Sequence, residues 1–347
     1  MFHDMSLTVD EVSSLARLEK EREDYMDVLR TSGEDPLFLS LDWLSAWWSA
    51  YGKERRPLIL RVKENGRTAG YAPMAVYEQG RHWTKVRFMG SGPSDRCGII
   101  ARDARADVHD AIWEHVRERD DWDVIELRDM RQGGPTEQGA RRAFPNSEEA
   151  YEVAPYIRLS GGYDEYMASL SKNMRATVGR GWRRLQDQGA VFRSMRTADR
   201  INEAIRWLKE LHDQRWRSSS CLSLPGMPQF IENAAQRMVG RGIVFHAILV
   251  DGTPQAITMG LEDKERYLYY LSGFGPDYAQ YSPGNVLLSR IIEECHQRGC
   301  REFDMLRGSE TYKYRFNAVD RPQVHLRAVN RGLIRRTQYS LREAPLV

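Results

Sequence analysis

Two tight turns constrain this chain more than any other feature. Glu64-Asn65-Gly66-Arg67 joins the β-branched and aromatic runs Leu58–Val62 and Thr68–Tyr77, and Asp251-Gly252-Thr253 joins Val244–Val250 and Pro254–Glu262. Asn-Gly and Asp-Gly tolerate positive φ at both central positions, which a two-residue hairpin loop demands, so each turn marks a β-hairpin. The first hairpin is followed by the short strands Lys85–Met89 and Cys97–Ala101 around a Gly90-Ser91-Gly92-Pro93 turn, then a helix Ala104–Arg119 and a strand Val124–Leu127. Behind the second come a strand Arg266–Gly273, a helix Gly284–Arg298 stopped by Gly299, and a strand Glu302–Leu306. One order of elements met twice points to a duplicated α/β core, although no residue-level repeat is visible.

Around these cores the pattern predicts helices over Thr8–Arg30, over Leu41–Tyr51 with Ser40 as N-cap, over Tyr163–Gln188, over Ala198–Trp216 and over Gln229–Val239. Strands are expected at Pro155–Leu159 and Ala190–Met195. The stretch Gln132–Ser147, rich in Gly, Pro and polar residues, reads as a loop and places a domain junction there. With 347 residues the chain exceeds the roughly 100–200 of one ordinary domain, and the division expected is 1–150 and 151–347.

Composition narrows the class. A hydrophobic fraction of 41% with nine Trp and sixteen Tyr excludes a disordered chain. No run approaches the ~18–20 apolar residues of a membrane span, and Met1–Asp10 lacks the basic-then-apolar pattern of a leader, which gives a cytoplasmic expectation. The net charge of +2 is too balanced to declare a nucleic-acid protein. Basic residues do cluster at Lys172, Arg175, Arg180, Arg183 and Arg184, and again at Arg331, Arg335 and Arg336. Cys97, Cys221, Cys295 and Cys300 have no CxxC spacing and read as reduced structural thiols. His212, His246, His296 and His325 show neither metal spacing nor a Ser partner, so no metal is expected.

The segment Tyr267–Phe274, the turn Tyr281-Ser282-Pro283-Gly284-Asn285 and the apolar-periodic Val286, Leu287, Ile291 and Ile292 describe a strand running through a Gly/Pro turn into a helix. The first amides of such a helix have no intrahelical partner, and with the macrodipole they favour an anion such as a diphosphate. Ser282, Pro283, Gly284, Asn285 and Val286 are therefore the candidate cofactor-binding residues.

With these, Tyr269-Tyr270, Phe303-Asp304 and Gly308-Ser-Glu310-Thr-Tyr312-Lys313-Tyr-Arg-Phe316 resemble the acyltransferase domain of bacterial CelD-like proteins of the GNAT superfamily, relatives of the Fem-type peptidyltransferases. The resemblance spans about Pro155–Val329 and includes Leu170-Ser-Lys172-Asn173-Met-Arg175. It implies an α/β (α+β) GNAT-like fold, here as two tandem units with mixed central sheets flanked by helices. It also implies an acyl-CoA such as acetyl-CoA as cosubstrate, with no permanently bound cofactor, or, in the Fem branch, an aminoacyl-tRNA. The donor loop Gln280-Tyr-Ser-Pro-Gly284-Asn-Val departs from the Gln/Arg-x-x-Gly-x-Gly/Ala of most GNAT enzymes.

Acyl transfer to an amine needs a base, donors for the oxyanion and an acid for the leaving group. Glu310 is the candidate base, Tyr312 the acid and Lys313 the cationic clamp, with Asp304 at the strand end beside them. The resemblance further implies Lys172, Asn173, Arg175 and Tyr270 as the candidate substrate contacts. Direct attack by the amine is expected, because no Cys or Ser stands in a recognisable nucleophile setting. The acceptor expected is a small-molecule or envelope-precursor amine. The alternatives are a tRNA-dependent transferase and a non-catalytic module of envelope or polysaccharide assembly.

Overall fold

The computed structural model describes residues 7–79, 83–216 and 220–330; the Arg331, Arg335 and Arg336 cluster lies outside the described residues. The chain forms two compact units, Met1–Glu152 with Pro322–Val347, and Val153–Arg321.

In the first unit β1 (Leu7–Val12), β2 (Arg55–Glu64), β3 (Arg67–Gln79), β4 (Trp83–Phe88), β6 (Val124–Arg131), β14 (Pro322–Val329) and β7 (Glu148–Val153) lie in that order, with β5 (Ile100–Ala101) paired to β3. In the second the order is β9 (Val191–Met195), β10 (Ile243–Val250), β11 (Thr253–Glu262), β12 (Arg266–Phe274), β13 (Glu302–Asp304) and β8 (Tyr156–Arg158). Both hairpin turns carry positive φ at both positions, 51° and 79° at Asn65-Gly66 and 47° and 77° at Asp251-Gly252. Each sheet is mixed. β4 runs parallel to β6 and β12 parallel to β13, and a helix crosses over between the members of each pair: α4 (Ala106–Glu118) in the first, α10 (Pro283–Gln297) in the second. The duplicated order of elements is thus a duplicated topology.

The strand β14 departs from the expected division at 151–347. It pairs antiparallel with β6, holding in the first sheet the place that β8 holds beside β13 in the second. No strand is expected there from the sequence, and which sheet takes it is decided by long-range pairing.

Three local expectations also change. Thr8–Arg30 is strand β1 followed by α1 (Leu15–Lys20) and α2 (Arg22–Thr31), because Ser14 caps a new helix at Arg17 N–H and β2 offers β1 an edge. Gln132–Ser147 contains α5 (Pro135–Ala143), started by Pro135 at its first position. Tyr163–Gln188 breaks into α6 (Tyr163–Ser169) and α7 (Lys172–Gln186), where the Ser171 hydroxyl accepts from Met174 N–H.

Each unit buries its own core. In the first, α3 (Leu41–Tyr51) sends Trp43 and Trp47 inward, and Trp113 of α4 packs edge-on against Phe88. In the second, α7 and α10 cover one face of the sheet through Met174, Val178, Leu185, Val286 and Ile291, while α8 (Ile201–Trp216) lies against β12, with α9 (Met227–Met238) beside it. No helix among the described residues is long and apolar enough to cross a membrane.

Candidate active site

The site follows from how β12 leaves its parallel partner. β12 pairs with β13 only through Arg266–Glu302, Tyr267–Phe303 and Leu268–Asp304. From Tyr269 to Phe274 no strand among the described residues pairs along that side, and a bulge opposite Met259/Gly260 leaves Tyr270 as the extra residue. The gap holds a cavity of about 250 Å³ walled by Tyr269, Phe274, Tyr312, Arg215 and the start of α10, Ser282 to Asn285.

The start of α10 is built to receive an anion. Ser282 is left-handed (φ 54°, ψ 54°) and its side chain makes no capping bond; Pro283 has no N–H; no acid stands in the first turn. Gly284 and Asn285 line the cavity, and in the first turn their amides have no intrahelical acceptor. Gly284 is required here, since a Cβ would come 2.9 Å from the Phe274 ring. Gly181 of α7 is required too, because a Cβ there would collide with the Tyr281 carbonyl and Val286. That close approach brings the Arg184 guanidinium 5.9 Å from the Tyr281 ring, next to the helix start.

Arg215 supplies a cation in the cavity wall: Nη1 donates to Ser272 Oγ at 3.0 Å, and the guanidinium lies 4.6 Å over Phe274. Tyr312 brings a hydroxyl. Burial pushes its pKa well above the ordinary 10, so it is a proton-bearing donor at any physiological pH.

Several expected residues lie elsewhere. Lys313 is buried with Nζ turned inward, donating to the carbonyls of Leu306, Arg307 and Gly308 at 2.9, 2.6 and 3.0 Å and pairing with Glu310 at 3.0 Å. An ammonium so surrounded ties the loop after β13 in place and is not an oxyanion clamp. Glu310 is exposed and committed to Lys313 rather than facing the cavity. Asp304 is buried, accepting from Leu306 N–H at 2.8 Å and from Arg321 at 3.1 Å, which makes it a brace for the left-handed Leu306. Val286 is buried against α7, and its amide bonds to Ser282 O. Tyr270 stays off the cavity wall at the bulge. Lys172, Asn173 and Arg175 open α7 about two turns before Gly181, and Arg175 donates to the Ala168 and Leu170 carbonyls. The part of the basic helix beside the cavity is the Arg184 end. Of the expected groups, Tyr312 and Ser282, Pro283, Gly284 and Asn285 come together.

Arg215, Tyr269 and Arg184 were not singled out as site residues. Their signal is weak: the small pair Ser272-Gly273 inside an aromatic strand hints at a close helix, and only the packing of α8 on it carries Arg215 to the gap. Another missed group is His212, whose Nδ1 does have a Ser partner, Ser220 Oγ at 2.9 Å, while its Nε2 is 3.7 Å from Cys221 Sγ.

Among the described residues, Asp129, Glu152 and His325 have ligand atoms within 4.8 Å of one another. His325 Nδ1 accepts from Asp129 N–H at 3.0 Å, so its proton sits on Nε2, 3.2 Å from Glu152 Oε2. Both ring nitrogens are thus engaged within the chain.

A mixed sheet whose parallel pair splays apart around a crossover helix is the GNAT-like arrangement, and this chain carries two such sheets, of which the second has a helix start without an acid at the gap. Residues 172–314, all within the second unit, match the model of the acetyltransferase (GNAT) domain. A comparison with curated proteins finds no match. Among solved structures, FemX is similar with 8% identity over 96% of this chain and 99% of its own, at a TM-score of 0.67. L-PGS from Bacillus licheniformis is similar with 11% identity over 92% and 97%, at 0.56. A tandem GNAT protein from the clavulanic acid biosynthesis pathway has 12% identity over 93% and 98%, at 0.54. At such identities the likeness defines the fold, a tandem GNAT-like one.

Proposed function

We propose that the second unit transfers an acyl group from an acyl-CoA thioester, such as acetyl-CoA, to the amine of a small or envelope-precursor acceptor, with the whole protein acting in the cytoplasm. The observation that carries this reading is the cavity where β12 leaves β13, since it joins an anion seat to a gap in the sheet. In it, the Gly284 and Asn285 amides take the diphosphate, Arg215 and Arg184 add positive charge, and the thioester reaches into the gap. Tyr312 donates a hydrogen bond or a proton to the leaving sulfur as the carbonyl is attacked. The tandem GNAT-like fold and the domain match over 172–314 support the reaction class.

Titration calorimetry with CoA and acetyl-CoA at low salt tests the donor. Micromolar binding that weakens in Arg215→Ala and Asn285→Asp is expected; absence of binding overturns the reading. An aminoacyl-tRNA donor is favoured by one feature, the exposed Arg180, Arg183 and Arg184 along α7. Steeply salt-dependent tRNA binding without CoA affinity would select it.

A further inference from the structure

Beside the donor cavity the second unit holds a thiol with an oriented base. Cys221 Sγ lies 3.7 Å from Nε2 of His212 on α8. The tautomer follows from counting protons. Asp213, a carboxylate, only accepts, so the single Ser220 proton goes to Asp213 Oδ1 at 2.9 Å. Ser220 Oγ then accepts, and His212 Nδ1, at 2.9 Å, is its donor. Nε2 is left with its lone pair toward the Cys221 sulfur. His212 and Ser220 are 4% and 3% exposed, whereas Cys221 is only half-buried, so the base is held and the sulfur is reachable. Burial lowers His212 to about 4 and raises the Cys221 thiol. The resting pair is neutral, and its proton moves only when sulfur attacks.

This pair is tied to the donor cavity through α8. The His212 backbone rests on Gly273 of β12, where a Cβ would collide with it. One turn further along α8, Arg215 walls the cavity. The charge of Arg307, just past β13, also acts on the Cys221 sulfur.

We propose that Cys221 carries the acyl group between donor and acceptor, in place of direct attack, an inference that rests on the acyl-thioester reading of the cavity. Sγ attacks the donor carbonyl carbon and its proton passes to His212 Nε2. The donor carbon–sulfur bond breaks, and the departing thiolate takes that proton back from His212. The acceptor amine then attacks the Cys221 thioester and loses a proton to His212. The carbon–Sγ bond breaks as His212 returns the proton to Sγ. Donor thioester and amine become amide and free thiol, and the dyad is restored. Cys221 and His212 touch the reacting atoms; Ser220 and Asp213 are positioning residues.

The test is peptide mass spectrometry of the full chain after acid quench from acetyl-CoA without acceptor. The expected result is one acetyl group on Cys221, released by neutral hydroxylamine, absent in Cys221→Ala and formed about 100-fold more slowly in His212→Gln. Calorimetry on both variants checks that acetyl-CoA still binds. Retained binding with no adduct, together with undiminished turnover by Cys221→Ala, overturns the covalent step and leaves the donor reading standing. A phosphate-free probe, S-acetyl-N-acetylcysteamine, separates the two failures. It should label Cys221 ahead of Cys97, Cys295 and Cys300 in a His212-dependent way even if CoA does not bind, and equal labelling of the four thiols overturns the dyad itself.

Discussion

The two units open the same strand pair and use the opening differently. In the second, β12 leaves β13 and a cavity remains, faced by a helix start without an acid. In the first, β4 pairs with β6 only at Lys85–Val124 and Val86–Ile125, and the chain's own loop 90–98 occupies the region beyond. Cys97 N–H bonds to the Asp129 carbonyl of β6 at 3.0 Å, Trp43 Nε1 donates to Ser94 Oγ at 2.8 Å, and Ile99 N–H bonds to Thr136 Oγ1 at 3.1 Å. The crossover helix α4 also carries its own anions: Asp107 stands in the first turn, and Arg105 is held by Glu64 at 2.7 Å and by Asp107. At the opened strand pair, duplicated topology therefore yields a cavity in the second unit and a filled opening in the first, and what separates them there is a few first-turn residues and one loop.

That contrast can be broken most sharply by moving a charge. Asn285→Asp puts into α10 the first-turn acid that α4 has, and a carboxylate near the diphosphate should cost about 3 kcal/mol, roughly 100-fold in acetyl-CoA affinity by calorimetry. The reciprocal Asp107→Asn should leave that affinity unchanged; a gain or loss there would mean that the first unit also takes part in donor binding.

The scaffold side is probed at Glu126, buried on β6 with Lys85 at 3.3 Å, Arg327 at 3.5 Å, and Arg87. Glu126→Gln leaves cations facing a neutral group and should destabilise by about 3 kcal/mol in denaturant melts while acetyl-CoA affinity holds. Burial raises the Glu126 pKa, but Arg87, Lys85 and Arg327 outweigh it and the net shift is downward. Its contribution is thus present above the ordinary 4.5 and is lost as pH falls through the lower folded value, a dependence the variant should lack.

A smaller effect is expected at Tyr312. Tyr312→Phe should lower kcat about 10-fold with acetyl-CoA affinity intact, since the hydroxyl acts on the leaving sulfur and the ring still fills the wall. Smallest is the acid sensitivity of the second unit. Burial depresses His212 from 6.5 to about 4, so the unfolded chain binds its proton first. Stability from this group is complete above 6.5 and fades as pH drops toward 4, and His212→Gln should flatten that part of the melting-temperature profile.

Local chemistry alone determined the hairpins, the crossover helices and the turn into α10. Asn65-Gly66, Asp251-Gly252 and Pro283-Gly284 act through backbone preferences that need no distant partner. Tertiary structure decided the rest. Lys313 lies in the motif that carries the family resemblance, yet the carbonyls of residues 306–308 fold around its ammonium, so its charge turns inward. Arg215 sits in sequence far from β12 and β13 and reaches the opening only because α8 packs on Gly273. The strand β14, not expected from the sequence, finds its sheet through hydrogen bonds to a strand some 190 residues earlier. Side-chain direction and strand partnership depend on which surfaces meet once the cores close, and that lies beyond the reach of local pattern.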